Sequence, residues 1–217
     1  MEFLESVVRF FQSGGAFMYP IAGVLALGVA IAIERYIYLT LAKATNRRVW
    51  NQIMPMLQQG KFREAVNKAN SSKAAIGRIM GYGLSRMGAT RRREDVELAM
   101  EEGLMEAIPR LERRTHYLAT LANIATLLGL LGTIIGLIEA FTAVSEANPA
   151  EKADMLSASI SVAMNTTAFG LMAGIPLLLI HSVLQTKATE VVDSLEMASV
   201  RVMNLLLERG RGEGGSA

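Results

Sequence analysis

The chain has 217 residues, 51% of them hydrophobic, and a formal net charge of +2. It contains no cysteine and only two histidines, His116 and His181, which excludes disulfides, thiolate metal sites and a cysteine nucleophile and leaves no zinc set. A near-neutral total gives no reason to expect a nucleic-acid partner, so where the charges sit matters more than their sum.

In residues 1–15, Phe3, Leu4, Val7, Val8 and Phe11 share one helical face. This predicts a short amphipathic helix at the outer, periplasmic membrane surface, ended by Ser13-Gly14-Gly15. Residues 16–41 form the first predicted transmembrane helix, with an uncharged run over 16–33 followed by Glu34-Arg35-Tyr36. A bilayer crossing needs about 20 mostly apolar residues. Glu2 and Glu5 against Arg9 are the wrong charge for the start of a signal peptide, so the helix is read as uncleaved. Tyr19 suits the interfacial aromatic belt.

Residues 42–117 read as a helical cytoplasmic region. Trp50, Ile53 and Leu57 share a face, Gly60 breaks the run, and Phe62, Ala65, Val66 and Ala69 form the next face. Thr90 is the expected cap of a new helix, with Glu94, Asp95 and Glu97 in its first turns. Arg91-Arg92-Arg93 is read as its solvated start. That helix is expected to run into the second span with a kink at Pro109. Residues 92–141 would measure roughly 75 Å at 1.5 Å per residue, of which the bilayer uses only about 30 Å.

The second transmembrane helix is placed at 118–144, a short periplasmic loop at 145–157 and the third transmembrane helix at 158–183. A cytoplasmic helical extension at 184–210 carries Val191, Leu195, Ala198, Val202 and Leu205, and 211–217 is read as a flexible tail. Runs 118–138 and 158–180 hold no charged residue. Lys43, Arg47 and Arg48 follow the first span and Arg110, Arg113 and Arg114 precede the second. The connection between spans two and three carries Glu146, Glu151 and Asp154 against Lys152. The positive-inside rule then puts the N-terminus outside and the C-terminus in the cytoplasm. The fold class expected is all-α: a polytopic membrane protein with three transmembrane helices, two of them extended far into a helical cytoplasmic domain.

Two spans carry small residues at helical spacing. In the second these are Ala122, Ala125, Gly129, Gly132, Gly136 and Ala140; in the third, Ser159, Ala163, Thr166, Gly170 and Ala173. Such stripes let another helix approach closely. Beside them lie Asn123, Thr126 and Thr133 on one span and Ser161, Asn165 and Thr167 on the other. A lone membrane threonine mostly glues helices, at about 0.6 kcal/mol per bond. Several polar groups at similar depth on two helices make an ion pathway through Thr133, Thr167, Thr166, Asn165, Asn123 and Thr126 the sharper expectation. None of the three apolar runs contains Asp, Glu, Lys or Arg. A proton route needs a titrating group, so a partner would have to supply it, whereas hydroxyl and carbonyl oxygens suit a hard cation such as sodium. Gly129 to Gly136 lacks the lysine of a phosphate loop, and no nucleophile–base or paired-carboxylate arrangement is present, so no enzymatic activity is expected. Three spans without an internal repeat argue against a solute transporter.

With Glu34-Arg35 after the first span, LLGLLGTIIG in the second and TTAFGLMAGIPLLL in the third, the chain resembles the ExbB/TolQ branch of the MotA/TolQ/ExbB family. The resemblance covers nearly its whole length, and three spans rather than four point to that branch. It implies an inner-membrane homopentamer around two copies of an ExbD/TolR-like single-span protein bearing a membrane Asp, working with a TonB/TolA-like energy transducer. Ala122, Ala125, Gly129, Gly132, Gly136, Ala163, Gly170 and Ala173 would then pack around the partner. The family's threonines map onto Thr133 and Thr167. Thr126 stands where many relatives carry proline, and Val162 where proton-driven members carry glutamate. The Thr166-Thr167 pair is similar to sodium-driven stators, which implies sodium coupling with transient Na+ near Thr133, Thr166 and Thr167, and no cofactor. The alternative is a passive scaffold that assembles and stabilises a single-span partner. Nutrient import, envelope maintenance and gliding all remain open as the process driven.

Overall fold

The structure is a computed structural model and describes residues 5, 10, 11, 14–89, 92–146 and 148–214. Its elements are six helices: α1 (Met18–Gln58), α2 (Phe62–Asn70), α3 (Ala75–Ala89), α4 (Arg93–Glu112), α5 (Thr115–Glu146) and α6 (Lys152–Gly214). The protein is therefore all-α among the described residues, and three of its helical stretches are long and apolar enough to cross a membrane. Only 22%, 22% and 28% of their apolar windows are buried within the chain. Core helices of a soluble protein would be buried far more fully, so these faces need lipid or other chains to cover them.

The chain divides into two compact units, residues up to Glu34 with Arg114–Leu184, and Arg35–Arg113 with the residues from Gln185 onward. In the first unit α1, α5 and α6 meet at Ile21, Ala125 and Ala173, with Val24, Leu25, Leu128 and Phe169 packed around them. Pro20 stands in the first turn of α1, where its missing N–H costs nothing. Pro176 lies well inside α6 and the helix continues through it, as membrane helices tolerate. Phe11 sets its ring edge-on to Tyr19 at 5.3 Å and to Phe169 at 5.7 Å. Phe3, Leu4, Val7 and Val8, which define the expected amphipathic helix, lie outside the described residues.

In the second unit α3 and α4 form an antiparallel hairpin. A Cβ on Gly103 would stand 2.9 Å from Ile79 Cα, and one on Gly83 would meet the Met100 side chain at 2.5 Å. Ile76, Ile79, Met80, Leu84, Val96 and Met100 fill the core of this unit. Gly60, with φ of 79°, ends α1 as the sequence suggests. Thr90 and Arg91 lie outside the described residues, but Glu94 and Asp95 do occupy the first turn of α4, where they complement the helix dipole.

One boundary falls away from its expected place. The helix does not run on into the second span as expected: it passes through Pro109 and ends at Glu112, where the Arg113 N–H returns to the Pro109 carbonyl at 3.0 Å. The chain turns at Arg114, the one described non-glycine residue with positive φ, 66°. A proline forfeits one hydrogen bond of its own N–H but keeps its carbonyl, and here that carbonyl caps the helix end. At the far end, α6 continues to Gly214, past the start of the expected tail at Arg211, with no proline to stop it.

Candidate functional site

The first unit brings the two small-residue stripes face to face. A Cβ placed on Gly170 would stand 2.7 Å from the Ala125 carbonyl oxygen and 2.9 Å from Gly129 Cα. One on Gly129 would meet Gly170 Cα at 3.1 Å and the Thr166 carbonyl oxygen at 3.2 Å. Gly136 faces Ala163, and a Cβ on Gly174 would meet the Ala122 carbonyl oxygen at 2.9 Å. A real Cβ does not come within 3.0 Å of a backbone, so α5 and α6 touch along this line because Gly170 and Gly174 carry none. Ala122, Ala125, Gly129, Gly132, Ala163, Gly170 and Ala173 are accordingly buried. Within the subunit these residues, expected to pack around a partner, cover one another across the line where α5 meets α6.

The threonines sit on this seam. Thr167 Oγ1 donates to the Gly129 carbonyl at 2.9 Å, and Thr133 Oγ1 lies in hydrogen-bond contact with Thr167 Oγ1. Thr133 Oγ1 is also 3.2 Å from the Gly129 carbonyl oxygen and 3.5 Å from that of Ala163. Two hydroxyls and two carbonyls, four oxygens in all, thus converge between α5 and α6, both threonines being half-buried. One consistent proton order has Thr167 donating to Gly129 and Thr133 donating to Thr167. Thr166 is buried beside them, and its hydroxyl donates to the Gly14 carbonyl at 2.6 Å. That bond ties the turn before α1 onto α6.

The other expected pathway residues do not join the cluster. Thr126 donates to the Ala122 carbonyl on its own helix at 3.1 Å, about two turns from Thr133. Its Oγ1 lies 2.6 Å from where a Cβ on Gly174 would be, so it too marks the seam. Asn165 is half-buried and interacts within the chain, while Asn123 is exposed on the far side of α5. Val162 is 39% exposed, with one methyl 3.3 Å from a Cβ built on Gly15.

Three features carried no signal in the sequence. The bond of Thr166 to Gly14 joins residues 152 positions apart, and no periodicity announces it. Arg114 reaches both carboxylate oxygens of Glu34, at 3.1 and 3.0 Å. In the second unit, Arg35 is buried and its guanidinium donates to the Leu111 carbonyl. The Glu34-Arg35 dipeptide was legible as an edge of the apolar run, but not the two partners it engages.

Chemically, the seam offers oxygen donors and no titrating group. Among the described residues no group of three or more His, Cys, Asp or Glu is placed to hold a metal ion. Neutral oxygens of this kind ligate hard cations weakly and reversibly.

Comparison with known proteins agrees with this picture. The family model described as the MotA/TolQ/ExbB proton channel family matches residues 71–197, more than half of the chain and both threonines of the seam. A biopolymer transport protein ExbB homolog of Methanothermobacter thermautotrophicus is 28% identical over 199 residues, 91% of this chain and 69% of that protein. A biopolymer transport protein of Synechocystis, ExbB-like 3, is 28% identical over 176 residues, 81% of this chain and 83% of its own length. The Tol-Pal system protein TolQ of Haemophilus influenzae is 33% identical over 93 residues, 43% of this chain and 40% of that protein.

Proposed function

The chain belongs to the MotA/TolQ/ExbB proton channel family, on its ExbB/TolQ branch, and we propose that it is the wall-forming subunit of an inner-membrane motor that turns a cation gradient into mechanical work on an envelope partner. The observation that carries this reading is the oxygen cluster of Thr133, Thr167, Gly129 and Ala163 in a membrane segment without acids. A wall of this kind lines or guides an ion but cannot hold a proton by itself, since a threonine hydroxyl does not titrate in the working range. The titrating or ion-binding carboxylate belongs to an ExbD/TolR-like single-span partner, two copies inside a homopentamer of this chain, with a TonB/TolA-like protein receiving the work. The N-terminus lies in the periplasm and the C-terminus in the cytoplasm.

We favour sodium over the proton as the coupling ion. Hydroxyl and carbonyl oxygens are the ligand set of hard cations, and Val162 offers neither an acid nor a base at its position on α6. The test is ion-driven activity of the assembled complex with sodium varied at fixed pH. Activity should rise with sodium and saturate; equal activity with and without sodium would rule the coupling ion out.

The second reading is a passive scaffold, and one observation favours it. The hydroxyls of Thr133 and Thr167 already satisfy each other and the Gly129 carbonyl, which is what helix glue requires. The readings separate on Thr167→Ala. A scaffold tolerates the loss of one bond worth about 0.6 kcal/mol. A motor loses ion-driven work while the complex still assembles.

A further inference from the structure

The second unit holds a cavity of about 270 Å3 that the seam does not explain. Three cations line it, Lys73, Arg78 and Arg110, together with the side chains of Thr45, Asn46 and Ser72, and no acid is among its lining residues. Among the described residues, Glu106 is the carboxylate paired with them: it stands 3.0 Å from Arg78 and 2.7 Å from Arg110. Three cations set against one carboxylate leave an excess of positive charge around the cavity. Helix α3 also starts here. Its Ile76 N–H donates to Asn46 Oδ1 at 3.2 Å, and the Ala74 N–H donates to Ser72 Oγ at 3.2 Å. The N-terminus of a 15-residue helix adds a further positive pole.

One polar group on the cavity wall is left unpaired. Asn46 is 6% exposed, and its amide nitrogen Nδ2 is buried with no hydrogen-bond partner. Its oxygen is fixed by Ile76, so the amide cannot turn to relieve the nitrogen without breaking that bond. A buried donor left unpaired beside clustered cations is a poor arrangement for a structural cap and a good one for binding an anion.

The same stretch of α1 says which anion is at hand. Tyr36, Ile37, Tyr38 and Leu41 are 55%, 52%, 40% and 61% exposed, and Tyr38 and Leu41 border the cavity. Lys187 stands over the Tyr36 ring at 3.9 Å. Basic residues Lys43, Arg47 and Arg48 follow at once. Exposed tyrosines giving way to lysine and arginine mark the level of lipid headgroups. We propose that this cavity binds the phosphate of an anionic phospholipid, gripped by Lys73, Arg78 and Arg110 with the Asn46 amide as an additional donor. The acyl chains leave past Tyr38 and Leu41. This site is independent of the ion pathway.

Native mass spectrometry of the full chain in nonionic detergent tests it, with phosphatidylglycerol, phosphatidylcholine and inorganic phosphate as separate probes. Phosphatidylglycerol should bind roughly tenfold better than phosphatidylcholine, the scale of one charge-assisted contact. The double variant Lys73→Gln, Arg110→Gln should remove most of that preference, while Lys61→Gln, outside the cavity, should keep it. Arg110 also holds Glu106, so circular dichroism melting accompanies each variant. If the double variant does not fold, Lys73→Glu, at an exposed position, should lower phosphatidylglycerol binding by itself. Equal phosphatidylglycerol binding in the wild type and the cavity variants overturns the proposal. Inorganic phosphate occupying the site as readily as the lipid overturns the lipid assignment.

Discussion

At the scale of single residues, Glu106 shows how one carboxylate organises a helix pair. It accepts from Tyr82 at 3.1 Å and lies against Arg78 and Arg110. The Tyr82 hydrogen bond and then the two arginines hold its carboxyl below the ordinary value of 4.5, and in return Glu106 raises Tyr82 above 10.0. The lowered carboxyl favours the folded state above its unfolded pKa, and this contribution disappears as pH falls through the lower folded value. The raised phenol contributes below 10.0 and is lost as pH rises through its folded value. Glu106→Gln should therefore flatten the acid limb of a stability–pH curve below about 4.5, leaving the neutral plateau only slightly lower, because the group is partly solvated. Thermal melts of both proteins across pH 3–7 check this, and parallel acid limbs would contradict it. Glu106 and Arg110 pair at i,i+4 on α4, a spacing visible in the sequence; Arg78 and Tyr82 reach the same carboxylate only through the antiparallel hairpin of α3 and α4.

At the scale of helices, the seam between α5 and α6 is the most tightly specified feature. Gly170 faces backbone at 2.7 and 2.9 Å, whereas Gly23 has nothing within 4 Å of the place a Cβ would take. Gly170→Ala should force the helices apart and cost about 1–3 kcal/mol, as overpacking does. Gly23→Ala should be neutral or stabilise by up to about 1 kcal/mol through helix propensity. Unfolding in detergent measures both, and equal stability of the two variants would mean that the seam does not constrain the helices. The small-residue spacing was legible because glycine and alanine recur every three or four positions. What the stripe faces was not legible, since close approach has the same sequence signature whether the second helix is internal or foreign. The helix end at Arg113 was hidden for a similar reason: Pro109 is the louder signal, but its carbonyl caps the helix four residues on.

At the scale of the whole chain, hydropathy was enough to establish three helices of membrane length, whereas the family was legible only in the motifs of the second and third spans, LLGLLGTIIG and TTAFGLMAGIPLLL. Which side each connection faces rests on the basic residues alone. Because the chain contains no cysteine, orientation can be read from single introduced thiols. Ala150→Cys, between α5 and α6, should react with a membrane-impermeant maleimide from the periplasm, and Gln58→Cys, near the end of α1, only after the membrane is opened. The reverse pattern would invert the topology. The three apolar helices explain residence in a bilayer, and whether the neutral oxygens between α5 and α6 carry ions is what would separate a conducting subunit from an anchor. The measurement that bears most directly on this is cation flux through the assembled complex in liposomes, with assembly of every variant verified by size. Thr133→Ala and Thr167→Ala should each lower flux at least tenfold while the complex keeps its size, whereas full flux in both variants would show that the hydroxyl cluster only holds α5 to α6.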